Sequence, residues 1–178
     1  MSVPDRVNLR PLTEADVDVL DRVENDPSAV GEHMWSGFRD PKKRRRRWEE
    51  DGCIGASSSM LAIASADGAM VGAVVWWPHD TVGPSGGGFE FGCMVLPDFR
   101  GQGLATAGQR ALADYLFANT LAHRIQALTG VDNLAERRAL ERAGFQFEGI
   151  LRGAGFLGGR WQDGAIYARL RDDPDTSD

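Results

Sequence analysis

The chain has 178 residues, of which 42% are hydrophobic and 26% charged, as is typical of one soluble globular domain with a buried core. Its 26 acidic residues outnumber 20 basic ones, and the net charge of −6 has the wrong sign for a general nucleic-acid binder. Two cysteines and three histidines lack disulfide or metal-ligand spacing, and no apolar run suits a signal sequence or membrane span, so we expect a cytoplasmic protein without a metal.

The first predicted elements are a strand and a capped helix. Residues 7–12 alternate apolar and polar side chains, as in a strand with one buried face. Thr13 and Asp16 then have the spacing of a capping box, in which each side chain binds the other residue's backbone N–H at a helix N-terminus. The helix is predicted to end before Pro27 and to bury a face consisting of Ala15, Val19 and Val23.

A basic run follows a segment without a clear period. Residues 28–39 are predicted to be irregular or partly helical, and Asp40-Pro41 is predicted to cap and open the next helix. The basic residues 42–47 oppose the dipole of that helix at its N-terminus. Two interpretations stay open: a solvated face with Arg45–Glu49 and Arg46–Glu50 ion pairs, or a contact with an acidic partner or another subunit.

The middle of the chain predicts a hairpin and a further strand beside it. Residues 59–64 and 69–77 have strand-like patterns and flank the turn residues Asp67-Gly68. Residues 78–88 contain two prolines and a triple glycine, and they are predicted to form a mobile connection. Residues 89–96 form the next predicted strand.

The second half of the chain alternates helices and strands. A long helix is predicted from Gly103 to about Thr120, with a buried face of Leu104, Ala107, Ala111, Leu112, Tyr115 and Leu116. The later elements are a strand over residues 124–131, a helix over 133–143 and a strand pair over 145–154 and 160–170. Antiparallel strands followed by alternating strands and helices predict an α+β fold with a mixed sheet. We expect one domain over residues 1–171 and a disordered acidic tail over 172–178.

The turn between the strand ending at Leu96 and the helix starting at Gly103 is suited to bind an anion. Gly101 and Gly103 let the backbone turn tightly and approach a ligand without a Cβ in the way. Backbone N–H groups of the turn and of the first helical residues can then converge on phosphate oxygens, and Arg100 adds a positive charge. The pattern Arg-x-x-Gly-x-Ala over residues 100–105 resembles the acetyl-CoA pyrophosphate loop of the GNAT N-acetyltransferases.

Further segments extend this resemblance along the chain. Residues 133–145 are similar to the penultimate helix of the family, which an Asn opens and a Gly-Phe pair closes. Residues 145–152, 161–163 and Tyr167 look like the last strands of the RimJ/RimL-like branch, and residues 9–16 look like its beginning. The resemblance implies the GNAT fold, a mostly antiparallel mixed sheet of about six to seven strands flanked by helices. Two central parallel strands of that fold splay apart to admit CoA.

The resemblance also implies how acetyl-CoA would be held. Backbone groups of Met94, Val95 and Leu96 should meet the acetyl and pantetheine portions. The side chain of Asn133 should bind the pantetheine arm, and Arg138 is our choice for the 3′-phosphate among the arginines of that helix. The diphosphate should contact the turn and helix residues Arg100, Gly101, Gln102, Gly103, Leu104, Ala105 and Thr106.

Direct acetyl transfer needs a base, because amines are mostly protonated at neutral pH. Glu90 matches the Glu-x-Gly of the branch and is the predicted catalytic base, with a solvent-facing Glu90 as the alternative. No general acid is apparent, because Leu140 stands where many family members have a tyrosine and Glu136 replaces a serine common in the branch. Tyr167, Cys93 and a water molecule are the substitutes that stay open.

The resemblance predicts the reaction but does not identify the acceptor amine, which is a protein N-terminus or a small molecule. His33, Trp35 and Trp77 are predicted to line the acceptor site, although ordinary packing also explains such side chains. A homodimer is compatible with the branch, and no nucleic-acid or membrane partner is expected. The alternative function is a sensor that binds acyl-CoA without catalysis. A dinucleotide-redox interpretation of Gly101-x-Gly103 is disfavoured, because the third glycine position holds Thr106.

Overall fold

A seven-stranded mixed sheet organises the chain in a computed structural model that describes residues 7–79 and 87–174. Its strands are β1 Val7–Arg10, β2 Ser59–Ser65, β3 Met70–Pro78, β4 Gly88–Val95, β5 Arg124–Gly130, β6 Gln146–Leu157 and β7 Arg160–Leu170. Their spatial order is β1-β2-β3-β4-β5-β7-β6. Neighbouring strands are antiparallel except for β4 and β5, which are parallel. The predicted fold class is therefore confirmed.

Helices cover both faces of the sheet. The helices are α1 Glu14–Glu24, α2 Pro27–Val30, α3 Lys43–Asp51, α4 Leu104–Asn119 and α5 Leu134–Arg142. One core cluster lies between the sheet and α4 and α5 and includes Ile63, Leu112 and Tyr167. A smaller cluster, with Leu20 and Met94, lies on the opposite face under α1 and α3. In the described ranges, no helix combines the length and the apolar character needed to cross a membrane.

Two predicted segments fall partly outside the described ranges. Residues 80–86 of the predicted mobile connection lie outside the described ranges. Pro78 belongs to β3 and Gly88 to β4, so the connection between these strands is shorter than predicted. Gly88 is already paired with Arg124 of the parallel neighbour. The predicted domain limits and tail remain predictions, because residues 175–178 also lie outside the described part of the chain.

The predicted capping box at the start of α1 is confirmed, but the predicted buried face is partly wrong. Thr13 Oγ1 accepts the backbone N–H of Asp16 at 3.3 Å, and the Asp16 carboxylate accepts the N–H of Thr13 at 2.8 Å. The buried residues of α1 are Asp16, Val17 and Leu20, whereas Ala15 is exposed. Because the capped carboxylate turns inward, the buried stripe is centred about one residue further along the helix than the apolar spacing indicated.

The helix after Asp40 starts later than predicted. The Asp40 carboxylate accepts the backbone N–H of Lys42 at 2.9 Å, which closes a turn around Pro41 before the helix begins. Lys42, and not Asp40, is the N-cap of α3, and its side chain makes no capping hydrogen bond. The aspartate therefore ends the preceding loop rather than capping the helix.

The basic run finds its acidic partner within the same chain. The Arg44 guanidinium lies 2.6 Å from both Asp21 and Glu24, and Arg45 lies 2.6 Å from Glu14 and 2.5 Å from Asp18. The predicted intrahelical pairs with Glu49 and Glu50 are wrong, because Arg45 pairs with carboxylates of α1 and Arg46 lies 2.5 Å from Asp40 of the preceding loop. The run thus holds α3 against α1, on the side of the sheet that carries Met94.

The buried face of α4 also differs from the prediction. Tyr115 is 43% exposed, so its assignment to the core is wrong. The residues buried instead of it are Gly108, Gln109 and Ala113. Gly108 faces β2 so closely that an added Cβ would lie 2.5 Å from Cδ1 of Ile63. The smallest residue of the helix therefore faces the sheet. The helix is rotated about its axis relative to the prediction, so Tyr115 points toward solvent.

Candidate active site

The two parallel strands form a fork. They pair only at Gly88–Arg124, Phe89–Ile125 and Glu90–Gln126. Beyond Glu90, β4 continues to pair with β3 as far as Val95, while β5 continues to pair with β7 as far as Gly130. The facing edges of residues 91–95 and 127–130 therefore lack a ladder partner in the described chain, as the predicted splay requires.

A cleft of about 840 Å³ opens along this fork, and both strands, the N-terminus of α4 and one side of α5 line it. The predicted site residues that line it are His33, Met94, Val95, Arg100, Gly101, Gly103, Leu104, Ala105, Thr106, Asn133 and Arg138. The predicted site residues that do not line it are Trp35, Trp77, Glu90, Leu96 and Gln102. The structure thus assembles most of the predicted cofactor residues around one cavity.

The turn before α4 presents free backbone donors to this cleft. Gly101 and Gly103 have φ values of 75° and 78°, in the left-handed region that glycine adopts without strain. The helix has no side-chain cap, and its first backbone hydrogen bond runs from Ala107 N–H to Gly103 O at 3.1 Å. The five N–H groups of residues 102–106 consequently find no acceptor in the described chain. Together with the dipole of a 16-residue helix, they form a site for an anion.

The backbone of Leu96 makes hydrogen bonds to other parts of the chain. Its N–H donates to the carbonyl oxygen of Val71 at 2.9 Å, and its own carbonyl oxygen accepts from Phe99 N–H at 3.0 Å. Leu96 thus extends the pairing of β4 with β3 by one hydrogen bond, and the 3-10 turn of residues 97–99 begins directly after it. The backbone groups of Leu96 are thus engaged within the fold, and the predicted contact of Leu96 with acetyl-CoA stays a prediction.

Arg100 holds the turn against α2. Its Nε donates to Val95 O at 3.2 Å, and one terminal nitrogen donates to Ala29 O at 2.6 Å. The guanidinium lines the cleft while it bridges the end of β4 and the first part of the chain. Its positive charge at the anion site stays a prediction, and its clamping role is what the contacts show.

The arginines of α5 differ in their freedom to bind a ligand. Arg137 donates to the Tyr167 hydroxyl at 3.1 Å and to the carbonyl oxygen of Val131 at 3.0 Å, so it is engaged within the fold. Arg138 is exposed, lines the cleft and makes no side-chain hydrogen bond or ion pair in the described chain. Arg142 also lines the cleft. These contacts support Arg138 over Arg137 as the arginine for a phosphate group.

Asn133 caps α5 while facing the cleft. Its Oδ1 accepts the N–H of Glu136 at 3.3 Å, and its Nδ2 donates to Thr129 Oγ1 at 3.2 Å. A side-chain amide carries two N–H donors, so one remains for a ligand. The predicted contact with a pantetheine arm is compatible with this geometry.

Glu90 lies at the closed end of the fork. Its carboxylate accepts from Gln126 Nε2 at 2.9 Å, and His79 Nδ1 lies 3.8 Å away. Gln126 is buried and in turn accepts from Arg124 Nε at 2.9 Å, so Glu90 is held by a chain of polar side chains. Glu90 is half-buried beside the cleft rather than lining it.

Of the predicted acceptor residues, one reaches the cleft. His33 lines it together with the neighbouring Met34. Trp35 packs edge-on against Phe38, with 5.2 Å between ring centroids. Trp77 stands directly opposite Glu90 in the ladder between β3 and β4, beyond the end of the cleft.

Glu136 is the residue of this cleft whose importance the sequence did not reveal. It is half-buried, and its carboxylate accepts a hydrogen bond from Gln109 Nε2 at 2.7 Å. Burial raises the pKa of Glu136 to about 7, although the hydrogen bond from Gln109 acts in the opposite direction. Burial, together with the negative charge of Glu136, raises the pKa of the Cys93 thiol well above its ordinary value. The sequence feature that could have pointed to this buried polar cluster is Gln109, a polar residue that lies between core positions of α4.

Tyr167 does not face the cleft. The ring is fully buried, its hydroxyl donates to a carboxylate oxygen of Glu141 at 3.0 Å, and it accepts from Arg137. Both hydrogen-bonding functions of the phenol are thus engaged in the fold.

In the described ranges, no group of three or more His, Cys, Asp and Glu side chains is placed to hold a metal ion. The predicted absence of a metal stays a prediction.

Comparison with known proteins agrees with this architecture. The Acetyltransferase (GNAT) domain family matches residues 6–146. A relative, the Probable N-acetyltransferase YjcK of Bacillus subtilis (strain 168), is 40% identical over 73 residues, which are 41% of this chain and 40% of that protein. The Spermidine N(1)-acetyltransferase of Escherichia coli (strain K12) is 24% identical over 159 residues, which are 88% of this chain and 82% of that protein.

A solved structure shares the fold over nearly its whole length. The spermidine N-acetyltransferase from Vibrio cholerae, crystallised with CoA and spermine, superposes with a TM-score of 0.80 at 20% identity. The match covers 94% of this chain and 97% of that one. The chain spans less than half the length of YjcK, so the match to that protein concerns one part of it. From the family match, the seven-stranded sheet and the forked parallel pair, we conclude that this chain belongs to the GNAT acetyltransferase family.

Proposed function

We propose that this protein is an acetyl-CoA-dependent N-acetyltransferase of the RimJ/RimL-like branch, which transfers the acetyl group to a primary amine by direct attack. The observation that carries the proposal is the row of five N–H donors at residues 102–106, placed at the mouth of a cleft between splayed strands. Such donors match the oxygens of a diphosphate, and the unpaired edge of β4 offers backbone groups to an extended, amide-containing arm.

For the acceptor, we propose a small cationic amine of the polyamine type. Support comes from the spermidine acetyltransferase relative, which aligns with 88% of this chain, and from a net charge of −6, which attracts cations. His33 and Met34 form part of the cleft wall contributed by the segment after α2. Trp77 and Trp35 lie outside the cleft, so their role at the acceptor stays a prediction.

Glu90 is the proposed base for the attacking amine. The carboxylate is held by Gln126 at 2.9 Å, at the point where the two parallel strands separate. An ammonium group that enters the cleft from this end can give its proton to Glu90 directly or through water. Glu90→Gln keeps the side-chain size and should lower turnover while leaving CoA affinity intact. Unchanged turnover at every pH would remove Glu90 from the mechanism.

The experiment that tests the function is an acceptor panel. The protein is mixed with acetyl-CoA and with spermidine, free amino acids or a peptide with a free N-terminus, and the release of thiol is followed. We expect release with spermidine, whereas release only with the peptide would move the acceptor to protein N-termini. Tight CoA binding without release on any amine would support the sensor, and no CoA binding at all would overturn the proposal. A homodimer stays a prediction that sedimentation can test.

A further inference from the structure

Three polar side chains meet on the wall of the cleft between the sheet and the helix layer. Cys93 comes from β4, Gln109 from α4 and Glu136 from the first turn of α5. Cys93 and Glu136 line the cleft, and Gln109 lies fully buried behind them. The Gln109 amide donates to Glu136 at 2.7 Å, while its oxygen is buried without any partner in the described chain. A buried amide with one orphaned oxygen is a costly arrangement that needs an explanation.

The orphaned oxygen is explained if Glu136 carries a proton. A carboxylic acid is a donor as well as an acceptor, so a protonated Glu136 can accept from the Gln109 amide N–H and donate to the Gln109 oxygen at the same time. The Glu136 carboxyl has no ion-pair partner in the described chain. Two other charged residues, Asp163 and Arg138, also line the cleft. The Asp163 carboxylate accepts the N–H of Gly153, and Arg138 lies on α5, after Glu136 in the sequence. The neutral form of Glu136 is therefore satisfied in place.

The location of Glu136 matches the path of a thioester. Cys93 lies three residues beyond the last paired residue of β4, and α5 directly follows β5. The thiol and the carboxyl both line the cleft, the thiol from β4 and the carboxyl from the helix that follows β5. An arm that starts at the anion site of residues 102–106 and extends along the fork would follow this wall of the cleft. A sulfur at the end of such an arm would lie beside the wall that carries Glu136.

The other candidate acids are unsuitable. Tyr167 is fully buried, and its hydroxyl is bound to Glu141 and Arg137. The Cys93 thiol has a pKa raised well above its ordinary value, so it is a weaker acid than the CoA thiol at about 8.5. Glu136, with a pKa of about 7, is protonated in part at neutral pH and is acidic enough to protonate a thiolate.

We propose that Glu136 is a catalytic residue of this chain, the general acid that donates a proton to the departing thiolate of CoA, with Gln109 as its positioning residue. The proposal rests on the proposed acetyltransferase function. In the step, the amine nitrogen bonds to the acetyl carbon, and the C–S bond breaks with its electron pair going to sulfur. The proton of the Glu136 carboxyl moves to that sulfur, and the extra proton of the acetylated amine leaves to water, because Glu90 has already taken the first proton of the ammonium group. Solvent then reprotonates Glu136.

The kinetic test compares Glu136→Gln with Glu50→Gln, which changes an exposed glutamate of α3. We expect Glu136→Gln to lower kcat about 100-fold or more, the usual contribution of a general acid, without loss of CoA affinity in calorimetry. Wild-type kcat should decline as the pH rises past about 7, because the acid becomes deprotonated, and this decline should disappear in Glu136→Gln. Gln109→Met should move the decline to higher pH, because it removes the hydrogen bond that lowers the pKa of Glu136. Wild-type kcat and an unchanged decline in Glu136→Gln would overturn the proposal.

A second readout does not need turnover. The thiolate of bound CoA absorbs ultraviolet light, so its titration can be followed in both proteins after subtraction of the same titration without CoA. A neighbouring Glu136 carboxylate disfavours a second negative charge, and the CoA thiol should titrate at lower pH in Glu136→Gln than in wild type. Identical titrations would show that Glu136 does not face the sulfur. A shifted titration in a protein that acetylates no amine would instead refute the proposed function while keeping Glu136 beside the thiol.

Discussion

Replacing Gly101 by alanine should cost far more in CoA affinity than in stability. Gly101 has a φ of 75°, and an added Cβ would meet no protein atom within 4 Å. The free protein therefore loses only the cost of a left-handed alanine, about 1–2 kcal/mol. The turn can relieve that strain by rotating away from positive φ, and such a rotation re-aims the N–H groups that follow it.

The effect on CoA binding can be estimated from the donors at residues 102–106. A hydrogen bond to a charged group contributes about 1.5–3 kcal/mol, so the loss of one such donor weakens binding by about 10- to 100-fold. Gly52→Ala is the matched control, because Gly52 also has positive φ, at 65°, and open space around its Cβ. It ends α3 and does not line the cleft.

Calorimetric titration with CoA and thermal denaturation of both variants test this reasoning. We expect the loss of melting temperature in Gly101→Ala to be no larger than in Gly52→Ala, because both positions have positive φ and rotation of the turn can only reduce the strain at Gly101. Only Gly101→Ala should lose affinity for CoA. Equal affinities in the two variants would refute the assignment of this turn to the diphosphate.

Three other changes test the fold and the site. Burial disfavours the charged form of Asp16, but hydrogen bonds from an arginine and a threonine outweigh this effect and lower the pKa of Asp16. The carboxylate therefore stabilises the fold above about pH 4, and this stabilisation is lost as the pH falls below that value. Urea unfolding at several pH values should show this acid loss in wild type and a smaller one in Asp16→Asn. Gly72→Ala should lower the melting temperature much more than Gly108→Ala, because the added methyl meets a backbone carbonyl in the first case and the end of an isoleucine side chain in the second; equal losses would contradict the close approach of β3 and β4. Arg138→Ala should weaken CoA binding and flatten its salt dependence, whereas Arg137→Ala should mainly lower stability, and the reverse result would exchange their roles.

Elements with local chemical signals were predictable. Thr13 and Asp16 form their capping box, and Asn133 caps α5, because these contacts depend on residues three positions apart. The two glycines of the turn before α4 take positive φ, as their lack of a Cβ allows. The mixed sheet with one parallel pair followed from the family resemblance, and the register of β4 and β5 agrees with the splay that it implied.

Several predictions failed or were weakened because they depended on which segments of the fold lie side by side. Ala15 and Tyr115 are exposed, because the rotation of a helix about its axis depends on which residues the sheet can approach. Arg45 pairs with carboxylates of α1 and not with Glu49 of its own helix, because α1 packs beside α3 and places those carboxylates against the guanidinium. The backbone of Leu96 is engaged by Val71, on a strand that is remote in sequence.

The amino-acid sequence by itself determined the elements, the uncapped glycine turn and the family, because each of these depends on residues close together in the chain. Only the tertiary structure decided which side chains face the cleft. Glu136 illustrates the difference: its position in the first turn of α5 looks ordinary in the sequence, yet burial in the folded chain raises its pKa to about 7 against the hydrogen bond from Gln109. Burial and approach between distant segments set that acidity, because desolvation depends on every group that surrounds the carboxyl and not on its position along the chain.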